Sequence, residues 1–136
     1  MEECKTGPKL EKREINQYSP LSLAFLGDCI YEKLVRERIL LEANRPVGQL
    51  HKLTTERVCA SYQSRAAELI LDYLNEEEAD VLRRGRNATG TTVPKHSSAI
   101  DYRKATSLEC LFGYLYLSGE NERIEELFEI IWKIEI

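Results

Sequence analysis

Histidine and paired cysteine are scarce in this chain of 136 residues. It has two histidines and four cysteines, and no two cysteines have the C-x-x-C spacing of a zinc or dithiol site. The sequence therefore argues against zinc, and it predicts reduced thiols and a cytoplasmic location. Cys29 and Cys110 are expected to be buried as small apolar side chains.

Long apolar runs are also absent. No stretch approaches the roughly 20 apolar residues that a membrane-spanning helix needs. The start, Met1 to Lys5, has no apolar segment of the kind found in signal peptides. We therefore expect a globular protein without a membrane partner, and the length fits one domain with a sizeable core.

Positive charge is in short supply as well, with 19 Lys and Arg against 23 Asp and Glu and a net charge of −4. This balance alone argues weakly against a nucleic-acid partner. Six of the basic residues, however, fall between Arg83 and Lys104, where Asp101 is the one acid. A local basic patch on an acidic protein is typical of a surface that binds a polyanion.

The spacing of apolar residues, at three and four positions, predicts an all-α domain over residues 19–136. Ser19 and Pro20 are a cap and a first residue for a helix that runs to about Leu41. Later helices are expected over 47–53, over 55–74, from a cap at Asn75 to Gly85, over 98–117 and from a cap at Asn121. Residues 1–18 are polar and are expected to form a loosely held arm.

Two acids stand in otherwise apolar helical runs. Asp28 follows residues 23–27, and Glu109 lies within residues 108–113. An acid in such a run is costly unless it is paired, exposed in a cleft or bound to a metal. Two such helices could form two walls of a metal site, and an acid on the helix surface is the alternative. Gly27 would be explained by the close approach of another helix.

The residues around these acids resemble the ribonuclease III family. Phe25-Leu26-Gly27-Asp28 matches the core of its Glu-x-x-Glu-Phe-Leu-Gly-Asp signature, and Glu109 matches the last residue of its second acidic motif, Asp-x-x-Glu. Three further segments are similar to its short bacterial branch, Mini-ribonuclease III: Arg84-Gly85-Arg86-Asn87-Ala88, Pro94-Lys95 and Tyr102-Arg103. The resemblance covers Ser19 to Gly119.

The resemblance implies a ribonuclease III-like helical domain that cleaves double-stranded or structured RNA. It also implies a homodimer with one site in each subunit, and a 23S rRNA precursor as the substrate. Asp28 and Glu109 would be the catalytic residues and the ligands of Mg²⁺, which prefers hard carboxylate oxygens. The metal would activate water and stabilise the leaving oxygen.

Some positions depart from the family pattern. Leu21, Ala24 and Thr106 stand where the wider family has acids, two of them metal ligands. Mini-ribonuclease III resembles this chain in that respect, so we expect an active site with fewer ligands. Thr106 is a candidate to orient a bound water, with helix packing as the alternative. Only 17 residues follow Gly119, so no double-stranded RNA-binding domain is expected.

The segment 86–97 is predicted to be a loop rich in Gly, Thr, Asn and Pro. Its side chains and those beside it suit contacts to phosphate and sugar. The candidate RNA-binding residues are Arg83, Arg84, Arg86, Asn87, Lys95 and Arg103. A solvated loop is the alternative interpretation.

Three functions are compatible with these residues. The first is a Mg²⁺-dependent endoribonuclease, which we prefer because a dead site has no reason to keep acids in apolar helices. The second is a non-catalytic RNA-binding or ribosome-assembly dimer, which the missing carboxylates favour. The third is a helical protein-interaction module, which predicts no salt-dependent RNA binding.

Overall fold

The structure, a computed structural model, describes residues 7–88 and 98–136. Over these residues it is helical and contains no strand, as predicted. The helices are α1 (Lys12–Ile15), α2 (Pro20–Glu42), α3 (Val47–Val58), α4 (Ala60–Ile70), α5 (Glu76–Asn87), α6 (Ala99–Leu117) and α7 (Asn121–Trp132), with a 3₁₀ turn at Leu71–Tyr73. Within the described ranges, none of the helices combines the length and the apolar character needed to cross a membrane.

The two longest helices, α2 and α6, form the centre of the domain. Ser19 caps α2, because its hydroxyl accepts a hydrogen bond from the Ser22 amide at 3.1 Å, and Pro20 opens the helix as predicted. Between Ala105 and Leu115, every residue of α6 except Glu109 is buried. The only acid of this stretch is therefore also its only position with partial access to solvent.

Two glycines allow α2 and α6 to touch through their backbones. A Cβ atom at Gly27 would lie 1.6 Å from the carbonyl oxygen of Glu109. A Cβ atom at Gly113 would lie 2.0 Å from the carbonyl oxygen of Leu23. The expected close approach of a second helix beside Asp28 is therefore confirmed, and the second helix is the one that carries Glu109.

A third glycine has a different role from the predicted one. Gly85 was expected to end its helix, but α5 continues to Asn87. A Cβ atom at Gly85 would lie 2.7 Å from the Cβ atom of Cys110, so the glycine lets α5 pack closely on α6. Cys110 is buried in this contact, as expected.

Helix boundaries differ from the predictions at two more places. The break between α3 and α4 falls at Cys59, whose backbone is extended, and not near Thr54. Thr54 lies inside α3, and its hydroxyl donates to the Leu50 carbonyl one turn earlier. The N-cap of α7 is Glu120, not Asn121, and it has no side-chain hydrogen bond.

The end of α7 is tied to α3 and α4 by a polar cluster. The Tyr62 hydroxyl donates to the Ile131 carbonyl at 2.8 Å. The Arg57 guanidinium donates to the Trp132 carbonyl at 2.8 Å and lies 3.7 Å from the centroid of the Trp132 ring. These contacts hold the end of α7 against α3 and α4.

The N-terminal segment packs more tightly than a loosely held arm. Ile15 is fully buried, and the Leu10 amide donates to the Leu117 carbonyl at 2.7 Å. Residues 7–18 therefore belong to the packed domain because α1 contributes an apolar residue to the core. Residues 1–6 lie outside the described residues.

Candidate active site

The crossing of α2 and α6 brings the two predicted acids together. Asp28 lies on the exposed side of α2, and Glu109 is the half-buried residue of α6 described above. Their carboxyl groups are within hydrogen-bonding range of each other. The position of the pair follows from the glycine contact, since Gly27 directly precedes Asp28 and touches the backbone of Glu109.

The pKa of Glu109 lies far above the ordinary value of a glutamate. Burial raises the pKa of Glu109 to about 9, and the hydrogen bond and negative charge of Asp28 also raise it. A hydrogen bond from Gln63 lowers the pKa and offsets part of this effect. Without a cation, burial and the neighbouring acid therefore favour the protonated form of Glu109 at neutral pH.

Gln63 is a neighbour of Glu109 that the sequence analysis missed. Its side chain is only 3% exposed. Its Nε2 atom donates to the Val58 carbonyl at 2.9 Å. The spacing of apolar residues could have indicated its burial. Gln63 lies three, four and seven positions before Ala66, Ala67 and Ile70, which share one helix face and are all buried.

Thr106 and Ala24 occupy the positions where the wider family has carboxylates. The Thr106 hydroxyl donates to the Tyr102 carbonyl at 2.9 Å within α6, and Ala24 is buried in the core. A water-orienting role for Thr106 stays a prediction. Among the described residues, no group of three or more His, Cys, Asp and Glu side chains could hold a metal ion. Over residues 7–88 and 98–136, Asp28 and Glu109 are thus the two carboxylates that the structure brings together at this crossing.

The predicted RNA-binding residues fall into separate groups. Arg83 and Arg86 line a pocket of about 110 Å³ between α4, α5 and α6, together with Lys104. Arg83 forms an ion pair with Asp80, and Lys104 forms one with Glu68. Each of these two bases therefore already has an acidic partner.

The remaining candidates lie elsewhere. The Arg84 guanidinium donates to Asn16 Oδ1 at 3.0 Å and so joins α5 to the N-terminal segment. Asn87 and Arg103 are exposed. Lys95 lies outside the described residues, as does most of the predicted loop over 86–97.

The outer face of α2 carries an exposed aromatic residue beside the acids. Phe25 is 85% exposed and lies one turn before Asp28. Cys29 is exposed on the same helix, so its predicted burial is wrong, because that side of α2 faces away from the core. Leu40 extends the apolar surface toward the end of the helix.

Comparison with known proteins identifies the family. Residues 21–120 match the model of the Ribonuclease III domain. A protein named Mini-ribonuclease 3 from Thermoanaerobacter sp. (strain X514) is 45% identical over 121 residues, which are 89% of this chain and 85% of that protein. The chain belongs to the Mini-ribonuclease III branch of the ribonuclease III family.

Further relatives agree with this family. Mini-ribonuclease 3 from Clostridium tetani (strain Massachusetts / E88) is 42% identical over 92% of this chain and 83% of that protein. A crystal structure of a Fusobacterium nucleatum protein, 34% identical, superposes with a TM-score of 0.81 over 88% of this chain and 96% of that one. The predicted all-α ribonuclease III fold is confirmed, and the chain is an endoribonuclease.

Proposed function

We propose that this endoribonuclease cleaves double-stranded or structured RNA at Asp28 and Glu109, with Mg²⁺ as its cofactor. The observation that carries the proposal is the meeting of these two carboxyl groups where α2 crosses α6. One is exposed, so a phosphate group can approach it, and the other is half-buried, which lowers the local dielectric.

The two acids fit a hard divalent cation. Burial, and after it the neighbouring Asp28, raises the pKa of Glu109, and a divalent cation would compensate the negative charge of both carboxylates. Mg²⁺ keeps several waters and accepts phosphate oxygens, so it needs few ligands from the protein. Asp28 and Glu109 would hold the ion from two sides, which is consistent with the loss of carboxylates at Ala24 and Thr106.

The residues of the chain supply position and charge for hydrolysis of the phosphodiester. When bound, Mg²⁺ supplies an activated water and stabilises the leaving oxygen. Asp28 faces the solvent from which the RNA arrives. The contact of Gly27 with the Glu109 backbone fixes how far apart the two carboxylates stand, which matters because hydrolysis depends on the geometry of its groups.

Basic residues of α5 and α6 would hold the RNA backbone. Arg83, Arg86 and Lys104 converge on one pocket, and positive charge there suits phosphate groups. Arg103, Asn87 and Lys95 remain candidates for the same surface. We assign Arg84 a mainly indirect role, because its contact with Asn16 holds α5 in place. Selection of duplex RNA would then rest on groove shape and 2′-hydroxyl groups.

A second copy of this chain is the partner that best fits the outer face of α2. Phe25 is a large apolar side chain left 85% exposed, and burying it would stabilise a complex. The face also carries three acids and two bases: Asp28, Glu32, Glu37, Lys33 and Arg36. Because it holds both signs of charge, acids of one copy could pair with bases of the other in a two-fold contact. The homodimer would thus form beside both sites.

The substrate that we propose is a folded precursor of 23S rRNA in the cytoplasm, on the strength of the family resemblance. Ordinary duplex RNA shares its backbone and groove, so the choice of substrate would depend on the shape of the folded precursor. A comparison of cleavage rates on a precursor stem and on an unrelated duplex of equal length tests this choice. Equal rates would remove the rRNA assignment and leave the nuclease intact.

The test of the proposed function is cleavage of a structured RNA duplex in Mg²⁺ or in EDTA. Asp28→Asn and Glu109→Gln should each abolish cleavage and keep the helical content of the wild type. Glu42→Gln, which changes an exposed acid at the far end of α2, is the matched control and should retain activity. Cleavage by Asp28→Asn, or by the wild type in EDTA, would overturn the proposal.

A further inference from the structure

Gln63 is a polar residue of α4 that is buried in the domain. It lies at the start of α4, directly after the break that separates this helix from α3. Its Nε2 atom donates to the Val58 carbonyl at 2.9 Å. A carbonyl oxygen can only accept, so this bond fixes which end of the amide is the nitrogen.

The amide of Gln63 is also a neighbour of the site. The Gln63 side chain lies close enough to Glu109 for its amide to lower the pKa of that carboxyl group, which is the effect of a nearby donor. Gln63 therefore connects the end of α3 with the half-buried acid of α6.

The oxygen of the amide is unpaired. Among residues 7–88 and 98–136, no group donates a hydrogen bond to Gln63 Oε1, although the residue is only 3% exposed. A buried amide oxygen without a donor is unfavourable, and an apolar side chain of similar length would avoid that cost. A water molecule beside Glu109 would satisfy this oxygen.

We propose that Gln63 is a positioning residue of the cleavage site, an inference that rests on the proposed function. Its Nε2 atom holds the Glu109 carboxylate toward Asp28, and its Oε1 atom accepts a hydrogen bond from a water bound beside the two acids. Contacts of this kind orient metal ligands and their waters, and their loss weakens metal affinity or activity by about ten- to hundredfold.

A purely structural role makes a different prediction. If Gln63 only covers the Val58 carbonyl at the helix break, its loss destabilises the fold and leaves metal affinity and turnover unchanged. Tyr62→Phe provides a matched control for such an effect. It removes a buried hydrogen bond to Ile131 from the adjacent position of α4 and makes no contact with either acid among those described.

The experiment compares wild type, Gln63→Met, Gln63→Asn and Tyr62→Phe. Three quantities are measured: Mg²⁺ binding by calorimetry without RNA, the turnover number and KM on a duplex RNA, and urea unfolding. We expect Gln63→Met to weaken Mg²⁺ binding and to lower turnover by about ten- to hundredfold, with KM unchanged. Gln63→Asn keeps the amide but withdraws it by one methylene, and it should show a smaller change of the same sign.

Each outcome bears on one of the two proposals. Wild-type Mg²⁺ affinity and turnover in Gln63→Met, with reduced stability like that of Tyr62→Phe, would overturn the positioning role. If Gln63→Met does not fold, wild-type values in Gln63→Asn would overturn it equally. A wild type that neither binds Mg²⁺ nor cleaves RNA would instead remove the proposed function, and the role of Gln63 with it.

Discussion

Gly27 and Gly113 face each other where α2 crosses α6, and neither has room for a side chain. A Cβ atom on Gly27 would lie 2.8 Å from the Gly113 amide nitrogen, and one on Gly113 would lie 3.3 Å from the Gly27 nitrogen. Backbone atoms cannot move aside as a flexible side chain can. The two helices that carry the acids are therefore held at a separation that only glycine permits.

The first prediction concerns this crossing. Gly27→Ala should lower the free energy of unfolding by at least the roughly 1–3 kcal/mol typical of an overpacked core, because its new methyl group meets the Glu109 carbonyl at 1.6 Å. It should also reduce cleavage by displacing Glu109. Urea unfolding and the cleavage assay measure the two effects.

Gly48 provides the matched control for the same substitution. It lies in α3, and a Cβ atom there would meet nothing within 4 Å. Gly48→Ala should therefore stabilise the protein by up to about 1 kcal/mol through helix propensity. Equal effects of the two substitutions would show that the helices do not cross as closely as described.

The second prediction concerns pH in the absence of metal. The pKa of Glu109 rises from 4.5 to about 9 on folding, so between these values the folded protein binds more protons than the unfolded chain. The contribution of Glu109 to stability is therefore complete below pH 4.5 and is lost as the pH rises toward 9. Urea unfolding in EDTA between pH 5.5 and 8.5 should show this decline.

Glu109→Gln separates this effect from other titrations. Its amide does not titrate, so the part of the decline that belongs to Glu109 should disappear. Saturating Mg²⁺ should also flatten the profile of the wild type, since a bound cation competes with the proton. An unchanged slope in Glu109→Gln would show that other groups produce the decline.

The third prediction concerns the outer face of α2. Phe25→Ser should shift the protein from a dimer to a monomer, because the apolar area buried by the proposed contact is lost. Light scattering on a sizing column measures the mass. Leu41→Ser is the control, since Leu41 is 79% exposed on the same helix but lies outside the groove that contains Phe25. A Phe25→Ser protein that remains dimeric would place the interface elsewhere.

The fourth prediction concerns the basic residues of α5. Arg86→Ala should weaken RNA binding, and the slope of log affinity against log salt should decrease by about 1 if one phosphate contact is lost. Arg13→Ala, which removes an exposed arginine of α1, should leave the slope unchanged. Arg84→Ala should mainly lower stability, by about 0.5–1.5 kcal/mol for one hydrogen bond to Asn16. An unchanged slope in Arg86→Ala would exclude that residue from the RNA surface.

Local patterns predicted the helical class and the position of α2 well. Ser19 and Pro20 mark a helix start through local chemistry, and Gly27 indicated a close neighbour because glycine is otherwise costly in a helix. The order of motifs around Asp28 and Glu109 pointed to the family, since those residues are constrained by chemistry as well as by folding.

Features that depend on distant contacts were not predictable in the same way. Gln63 lies on a buried face of α4, and only the fold shows that this face meets Glu109. The Arg84 side chain points toward Asn16 because of the hydrogen bond between them, and Asn16 is far away in sequence. Glycine is typical of helix ends, but Gly85 lies within α5, where it allows close packing against Cys110.

The meeting of Asp28 and Glu109 also determines when the enzyme becomes able to act. During synthesis the aspartate leaves the ribosome long before the glutamate has been added, and the glycine contact needs most of α6. A growing chain therefore holds one half of the proposed cutting site while the other half has yet to be made. The proposed site can form only after most of α6 has left the ribosome, so the two acids would meet late in the synthesis of this domain.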